Sequence, residues 1–180
     1  MEMAQDIALL ILRVVVGGLL VGHGAQKSFG WFGGPGFAKT RTMMGAHLRL
    51  RPAFFWGAMA GLSEVGGGLL LAIGLLQPLG ALGVAAAMLM AIHIHWPKFW
   101  AADHGFEYPL TLLAGGVAVG LAGGGRFTLD RALGIAFPTP GTFLVGLVVV
   151  LIGVGIAQLS RAPHSAPAPE PGMASEATQS

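Results

Sequence analysis

The sequence predicts an all-α protein, a polytopic bundle of membrane-spanning helices, and two observations lead to this prediction. First, 54% of the residues belong to the apolar and aromatic set AVILMFWYC, and only 10% are charged. A soluble domain needs roughly a quarter of its residues charged to keep water on its surface, so this composition is typical of a chain dissolved in a membrane. Second, the apolar residues form long continuous runs without alternation, which argues against the short strands of a membrane barrel.

Five apolar runs are each long enough, or nearly so, to cross about 30 Å of hydrocarbon as a helix. They cover residues 4–22, 53–76, 79–96, 109–124 and 142–159. The first residues include Glu2 and Asp6 but no Lys or Arg, so we expect a retained helix and not a cleaved signal peptide. Only Gln77 and Pro78 separate the second and third runs, which predicts an antiparallel hairpin with a tight turn.

The chain is expected to form one bundle over residues 1–160, followed by a disordered tail. Residues 161–180 are rich in Pro, Ala and Ser and have no apolar period. Within the bundle, glycines spaced four apart should let helix backbones approach closely. These pairs are Gly18 with Gly22, Gly57 with Gly61, and Gly116 with Gly120.

The segment between the first two spans, residues 23–52, is basic and aromatic. Because positive loops stay on the cytoplasmic side, we expect this loop to be cytoplasmic, and five spans then put the N-terminus outside. The loop is also the expected docking surface for a protein partner. The glycine-containing helix faces are compatible with a homo-oligomer as well. The lipid bilayer is the other expected partner, and a net charge of +2 is a topology signal that does not indicate nucleic acid.

Two charged residues fall inside the first two apolar runs, Arg13 and Glu64. Each costs about 2.5–3.5 kcal/mol at the centre of a membrane helix, so both should face the bundle or water. They could pair with each other, although their depths match only if the first helix begins near Ala4 or earlier. The alternative is an ion pair or a neutralised carboxyl group that only fixes helix packing.

The hairpin suggests a second partner for Glu64. In an antiparallel hairpin, residues at equal distances from the turn lie at the same level. A turn at Gln77 and Pro78 therefore places Glu64 level with Ala91 of the next helix, and His93 lies about 3 Å further along that helix. His93 and His95 lie about 200° apart around a helix, so they cannot clasp one metal ion, and no metal site is predicted.

Further polar residues converge at the cytoplasmic end of the predicted bundle. His23, Gln26 and Lys27 lie on one helix face, and Glu107 opens the fourth span near His104 and Tyr108. Such a convergence above Glu64 is the best site hypothesis. The alternative is that these side chains only anchor helix ends at the membrane surface.

At this point the sequence resembles the DoxX family of integral membrane proteins. The resemblance rests on Arg13 and on five segments in order, which are HGAQK (23–27), WFGGPG (31–36), GLSEVGGG (61–68), GFEYP (105–109) and GRFTLD (125–130). It covers about Ile7 to Leu133. It implies a four-helix core in the bacterial inner membrane and a link to thiosulfate:quinone oxidoreduction or to oxidative-stress assemblies. The apolar run 142–159 exceeds the usual four helices of the family and is expected to form a fifth.

Three function classes fit these features. The first is a membrane subunit of a redox or oxidative-stress-linked assembly that presents a quinone or another small lipophile to Glu64, His93 and Arg13, because His and Glu can donate protons at membrane depth. The second is a small-molecule transporter or lipid-binding protein, and the third is a non-catalytic assembly factor. No catalytic residue is assigned.

Redox chemistry would need a cofactor or a partner, because the chain has no cysteine. A quinone is the cofactor that the first class implies. A haem is disfavoured although His23 and His93 are candidate axial ligands, and an absorbance spectrum without a Soret band would remove it.

Overall fold

The computed structural model describes residues 2–163 and shows a bundle of five long helices, which confirms the all-α membrane class. The helices are α1 Glu2–Phe29, α2 Gly36–Thr42, α3 Ala53–Ile73, α4 Gln77–His95, α5 Glu107–Ala122, α6 Leu129–Ala132 and α7 Gly141–Leu159. Four of them (α1, α3, α4 and α7) are long and apolar enough to cross a membrane, and α5 is an apolar helix of 16 residues.

Helix α1 is longer than predicted. Its apolar run ends at Gly22, but the helix continues through Gln26 and Lys27 to Phe29. This extension carries Lys27 over the neighbouring helix α3. The N-terminal end of α1, from Glu2 to Asp6, lies at the opposite end of the bundle with Arg126.

The hairpin between α3 and α4 turns earlier than predicted. Helix α3 ends at Ile73 because Gly74 adopts a left-handed conformation with φ of 68°. Helix α4 then begins at Gln77, and Pro78 lies in its first turn, where proline is tolerated. Gln77 and Pro78 therefore start a helix and do not form the turn.

Helix α4 lies at the centre of the bundle, against α3, α5 and α7. Its residues Ala81, Val84 and Ala85 are fully buried, and Val84 packs on Gly116 of α5. Phe143 of α7 packs on Gly120. The predicted packing role of Gly116 and Gly120 is thus confirmed.

The packing face of α1 differs from the predicted one. A Cβ atom at Gly18 or Gly22 would meet no atom within 4 Å, so these glycines do not face another helix of the described chain. Gly17 and Gly24 make the close contacts instead, against α3. A spacing of four residues does not show which face of α1 packs against another helix, because Gly17 and Gly18 are adjacent and lie on neighbouring faces.

Helix α7 returns the chain to the end of the bundle that carries the 23–52 loop. Leu50 and Arg161 form an isolated antiparallel bridge, and Ala162 donates a backbone hydrogen bond to Arg49. The predicted tail therefore starts with bonded residues at Arg161 and Ala162. The rest of the predicted disordered tail, residues 164–180, lies outside the described residues.

Candidate functional site

The candidate site is built on an irregular turn inside α3. Residues Leu62–Gly66 form a π-helical turn, a feature that occurs frequently at functional sites. Glu64 lies at the centre of this turn and is only 3% exposed. The sequence-based expectation that its carboxylate faces the bundle agrees with this burial.

Lys27 is the partner of Glu64. Its ammonium group donates a hydrogen bond to Glu64 Oε1 in a part-buried ion pair. The Lys27 side chain remains about one third exposed, whereas Glu64 Oε2 is buried and has no hydrogen-bond partner among the described residues. One carboxylate oxygen is therefore free to accept a proton or a hydrogen bond.

A close approach of α1 and α3 brings Lys27 to Glu64. A Cβ atom at Gly24 would lie 2.7 Å from the Val65 backbone nitrogen and 2.8 Å from the Glu64 Cβ, so only glycine allows this contact. Thr40 of α2 donates a hydrogen bond of 3.0 Å to the Lys27 carbonyl and is almost fully buried. The last turns of α1 are thus held from two sides.

His23 extends this polar face of α1 toward α5. Its Nε2 lies 3.2 Å from the Tyr108 hydroxyl, and the two rings are 5.5 Å apart. Both side chains are exposed at the surface of the bundle. Because His23 and Lys27 are four residues apart in one helix, the His23–Tyr108 contact neighbours the Lys27–Glu64 pair.

Glu107 is close to this region in the chain but serves a different contact. Its Oε2 accepts a 3.0 Å hydrogen bond from the Ala101 backbone, which closes the loop between α4 and α5. His95 Nδ1 contacts the His104 carbonyl in the same loop at 2.7 Å. In this arrangement Glu107 shapes the loop and does not join the ion pair.

Arg13 lies far from Glu64, so the pairing considered for these two residues is wrong. Gly24 is level with Glu64, and Arg13 lies eleven residues earlier in α1, which corresponds to roughly 16 Å along the axis. Arg13 is completely buried and donates from Nη2 to the Phe127 carbonyl, beside Gly74. Its Nε and Nη1 have no partner among the described residues.

His93 does not join Glu64 either, and its expected level was wrong. Gly83 lies against Gly67, and Gly80 lies against Leu71. This register places Glu64 level with Ala86 or Ala87, about 10 Å before His93 along α4. The error follows from the position of the turn at residues 74–76, and the His93 side chain is exposed.

A second polar cluster, which the sequence reasoning did not assign, lies at the other end of the bundle. Asp130 accepts backbone hydrogen bonds from Leu76 at 2.7 Å and from Gln77 at 2.8 Å, and so caps the start of α4. Asp6 accepts from the Arg126 backbone at 2.9 Å. The GRFTLD segment therefore links α1 to the turn between α3 and α4. Asp130 in this segment was the sequence feature that could have indicated the contact.

Chemically, the four residues Lys27, Glu64, His23 and Tyr108 combine a buried carboxylate, a cation and two exposed groups that can donate or accept protons. Such a set can hold and pass a proton near the membrane surface. The sequence analysis named each of these residues. It did not predict the pairing of Lys27 with Glu64, which depends on the close helix contact at Gly24.

Comparison with known families agrees with the resemblance in the sequence. A model of the DoxX family matches residues 8–97, which is half of the chain and includes most of α1 and all of α2 to α4. Both residues of the ion pair lie within the matched range. No curated protein and no solved structure showed significant similarity to the chain.

Proposed function

Because the chain belongs to the DoxX family, a family of multi-pass membrane proteins, we propose that it is the membrane subunit of a redox or oxidative-stress-linked assembly. In this proposal it lies in the bacterial inner membrane and presents a proton-donating site to a quinone or a similar small lipophile. The observation that carries the proposal is the Lys27–Glu64 pair, with its free Glu64 oxygen, beside the exposed His23–Tyr108 contact.

A quinone suits the chemistry of these side chains. Its reduction to a quinol takes up two electrons and two protons, and the protons must reach the two carbonyl oxygens. His23 and Tyr108 are exposed on the helix surface, where a ring from the bilayer could accept their hydrogen bonds. Glu64 and Lys27 stand behind them as groups that can hold and resupply a proton.

The electrons in this proposal come from a soluble oxidoreductase docked at the same end of the bundle. Cationic side chains gather there, including the exposed Lys39, Arg41 and Arg51. Arg161 and Lys98 belong to the same end, because α7 and α4 both finish there. An acidic surface on the partner would complement this basic loop, and docking there would shorten the path of the electrons from the partner to a quinone at His23.

The test is to isolate the protein with its surrounding lipid in polymer nanodiscs and to measure quinone by mass spectrometry. We expect more quinone per protein than in the bulk lipid extract. The variants Glu64→Gln, His23→Asn and Tyr108→Phe should reduce this excess. His47→Asn, which changes an exposed histidine in the 23–52 loop, should not.

Two results would contradict the proposal. One is a quinone content equal to that of the bulk lipid, and the other is an excess that all three variants leave unchanged in folded protein. Substrate-dependent flux into liposomes that contain this protein alone would instead favour the transporter class.

A further inference from the structure

We infer that the end of the bundle opposite to the 23–52 loop carries a second binding site, for a small organic acid that also bears a hydroxyl or ammonium group. This site is independent of the proposed quinone function. It is a cavity of about 350 Å³ between the start of α4, the glycine segment 123–125 and the segment 134–139. A volume of this size is within the range of small-molecule sites.

Gln77 is the feature that points to a ligand. It lines the cavity and is 6% exposed, and neither its amide oxygen nor its amide nitrogen has a partner among the described residues. A buried amide without hydrogen bonds is costly and rare in proteins. The last torsion of a glutamine side chain is broad, so the amide can rotate to meet a molecule in the cavity.

The surroundings hold Gln77 in place and leave only its side chain without partners. Its backbone nitrogen donates to Asp130, which fixes the start of α4. A Cβ atom at Gly124 would lie 3.2 Å from Gln77 Cγ, so this glycine lets the 123–125 segment close over the side chain. The amide therefore sits at a defined position in the wall.

The cavity wall carries one carboxylate, Asp130, and one guanidinium, Arg131, and only the guanidinium is left to bind a charged group. Both oxygens of Asp130 already accept backbone hydrogen bonds, and Arg126 is paired with Glu2 and Asp6. Arg131 lines the cavity with an exposed side chain and makes no ion pair within residues 2–163. It is the cation in the cavity wall that an incoming carboxylate can meet.

These groups define the ligand class. A carboxylate can accept hydrogen bonds from Arg131 and from the Gln77 amide nitrogen, while the Gln77 oxygen needs a donor on the same molecule. A hydroxyl or ammonium group next to the carboxylate meets that need. Pro78, Ile135 and Phe137 supply an apolar wall for a short carbon chain.

The absence of cysteine allows a direct test by labelling in nanodiscs. Thr139→Cys places a thiol in the cavity wall, and Ala46→Cys places one at the other end as a control. We expect L-lactate, L-malate or L-serine to slow maleimide labelling of the first thiol but not of the second. Propionate lacks the hydroxyl group and lactamide lacks the charge. Each should therefore protect the thiol only at about tenfold higher concentration than L-lactate.

Two side-chain variants assign the protection to the proposed groups. Gln77→Met and Arg131→Gln should each raise the protecting concentration about tenfold, whereas Arg51→Gln at the other end should not. Arg131 is exposed, so its variant decides the question even if Gln77→Met fails to fold. Lack of protection by all three acids, equal protection by propionate and lactamide, or protection unaffected by Arg131→Gln would overturn the inference.

Discussion

Lys27, near the end of helix α1, forms an ion pair with Glu64 in the π-helical turn of α3. This contact joins two charges that would each be costly to bury alone, at a point where Gly24 brings the two backbones together. The pair is thus both a link between helices and the centre of the candidate site.

Replacing Lys27 by Met should destabilise the protein by roughly 2 to 4 kcal/mol, because Glu64 stays buried without its counter-ion. The Lys39→Met variant removes an exposed lysine of α2 and should change stability by less than about 0.5 kcal/mol. Unfolding midpoints in detergent, measured for both variants, check this difference. Equal midpoints for the two variants would contradict the role of the pair.

Adding Glu64→Gln to Lys27→Met should recover part of the lost stability. A neutral amide is much less costly to bury than an unpaired carboxylate, so the double variant should be more stable than Lys27→Met alone. The same unfolding measurement, arranged as a double-mutant cycle, gives the coupling energy. Strictly additive effects would mean that the two side chains act independently.

Gly17 and Gly18 should respond in opposite directions to substitution by Ala. A Cβ atom at Gly17 would lie 2.8 Å from the Ala72 backbone nitrogen, so we expect a loss of about 1 to 3 kcal/mol from overpacking. Gly18 has open space, and Ala should stabilise the helix there by about 0.5 to 1 kcal/mol. Thermal unfolding of both variants is the measurement, and a larger loss at Gly18 would mean that the helix faces are assigned wrongly.

Asp130→Ala should remove the cap of α4 and lower stability by about 1 to 2 kcal/mol, since two backbone N–H groups lose their acceptor. Asp103→Ala, in the exposed loop between α4 and α5, is the matched control and should be nearly neutral. Denaturant titration followed by circular dichroism compares the two. A neutral Asp130→Ala would show that water replaces the cap at no cost.

Arg13→Gln should loosen the segment around Phe127 without changing the loop between α4 and α5. The buried guanidinium donates to the Phe127 carbonyl, and the shorter amide does not reach as far. Hydrogen exchange measured by mass spectrometry should therefore accelerate over residues 125–130 and stay constant over residues 98–106. Equal acceleration of both segments would indicate general unfolding and not a local role.

The helices were predictable because they depend on composition and length. All five apolar runs became helices, four of which are long and apolar enough to cross a membrane, and the end of α7 brings Arg161 to the 23–52 loop. The burial of Arg13 and Glu64 was also predictable, because a charge within an apolar run avoids lipid.

The partners of those charges were not predictable from spacing. Moving the hairpin turn from residues 77–78 to residues 74–76 shifts the level of every residue on α4 by about four or five positions. That shift separates His93 from Glu64. A change of one position on α1, from Gly18 to Gly17, likewise selects a different packing face.

The sequence by itself determined the membrane class, the five helices and the burial of Arg13 and Glu64, because these follow from the local cost of placing polar groups in hydrocarbon. Only the tertiary structure decided that Glu64 pairs with Lys27, that Arg13 binds the loop at the far end, and that Asp130 caps α4. These contacts depend on helix register and on glycine contacts between elements distant in the chain, and no local pattern encodes them.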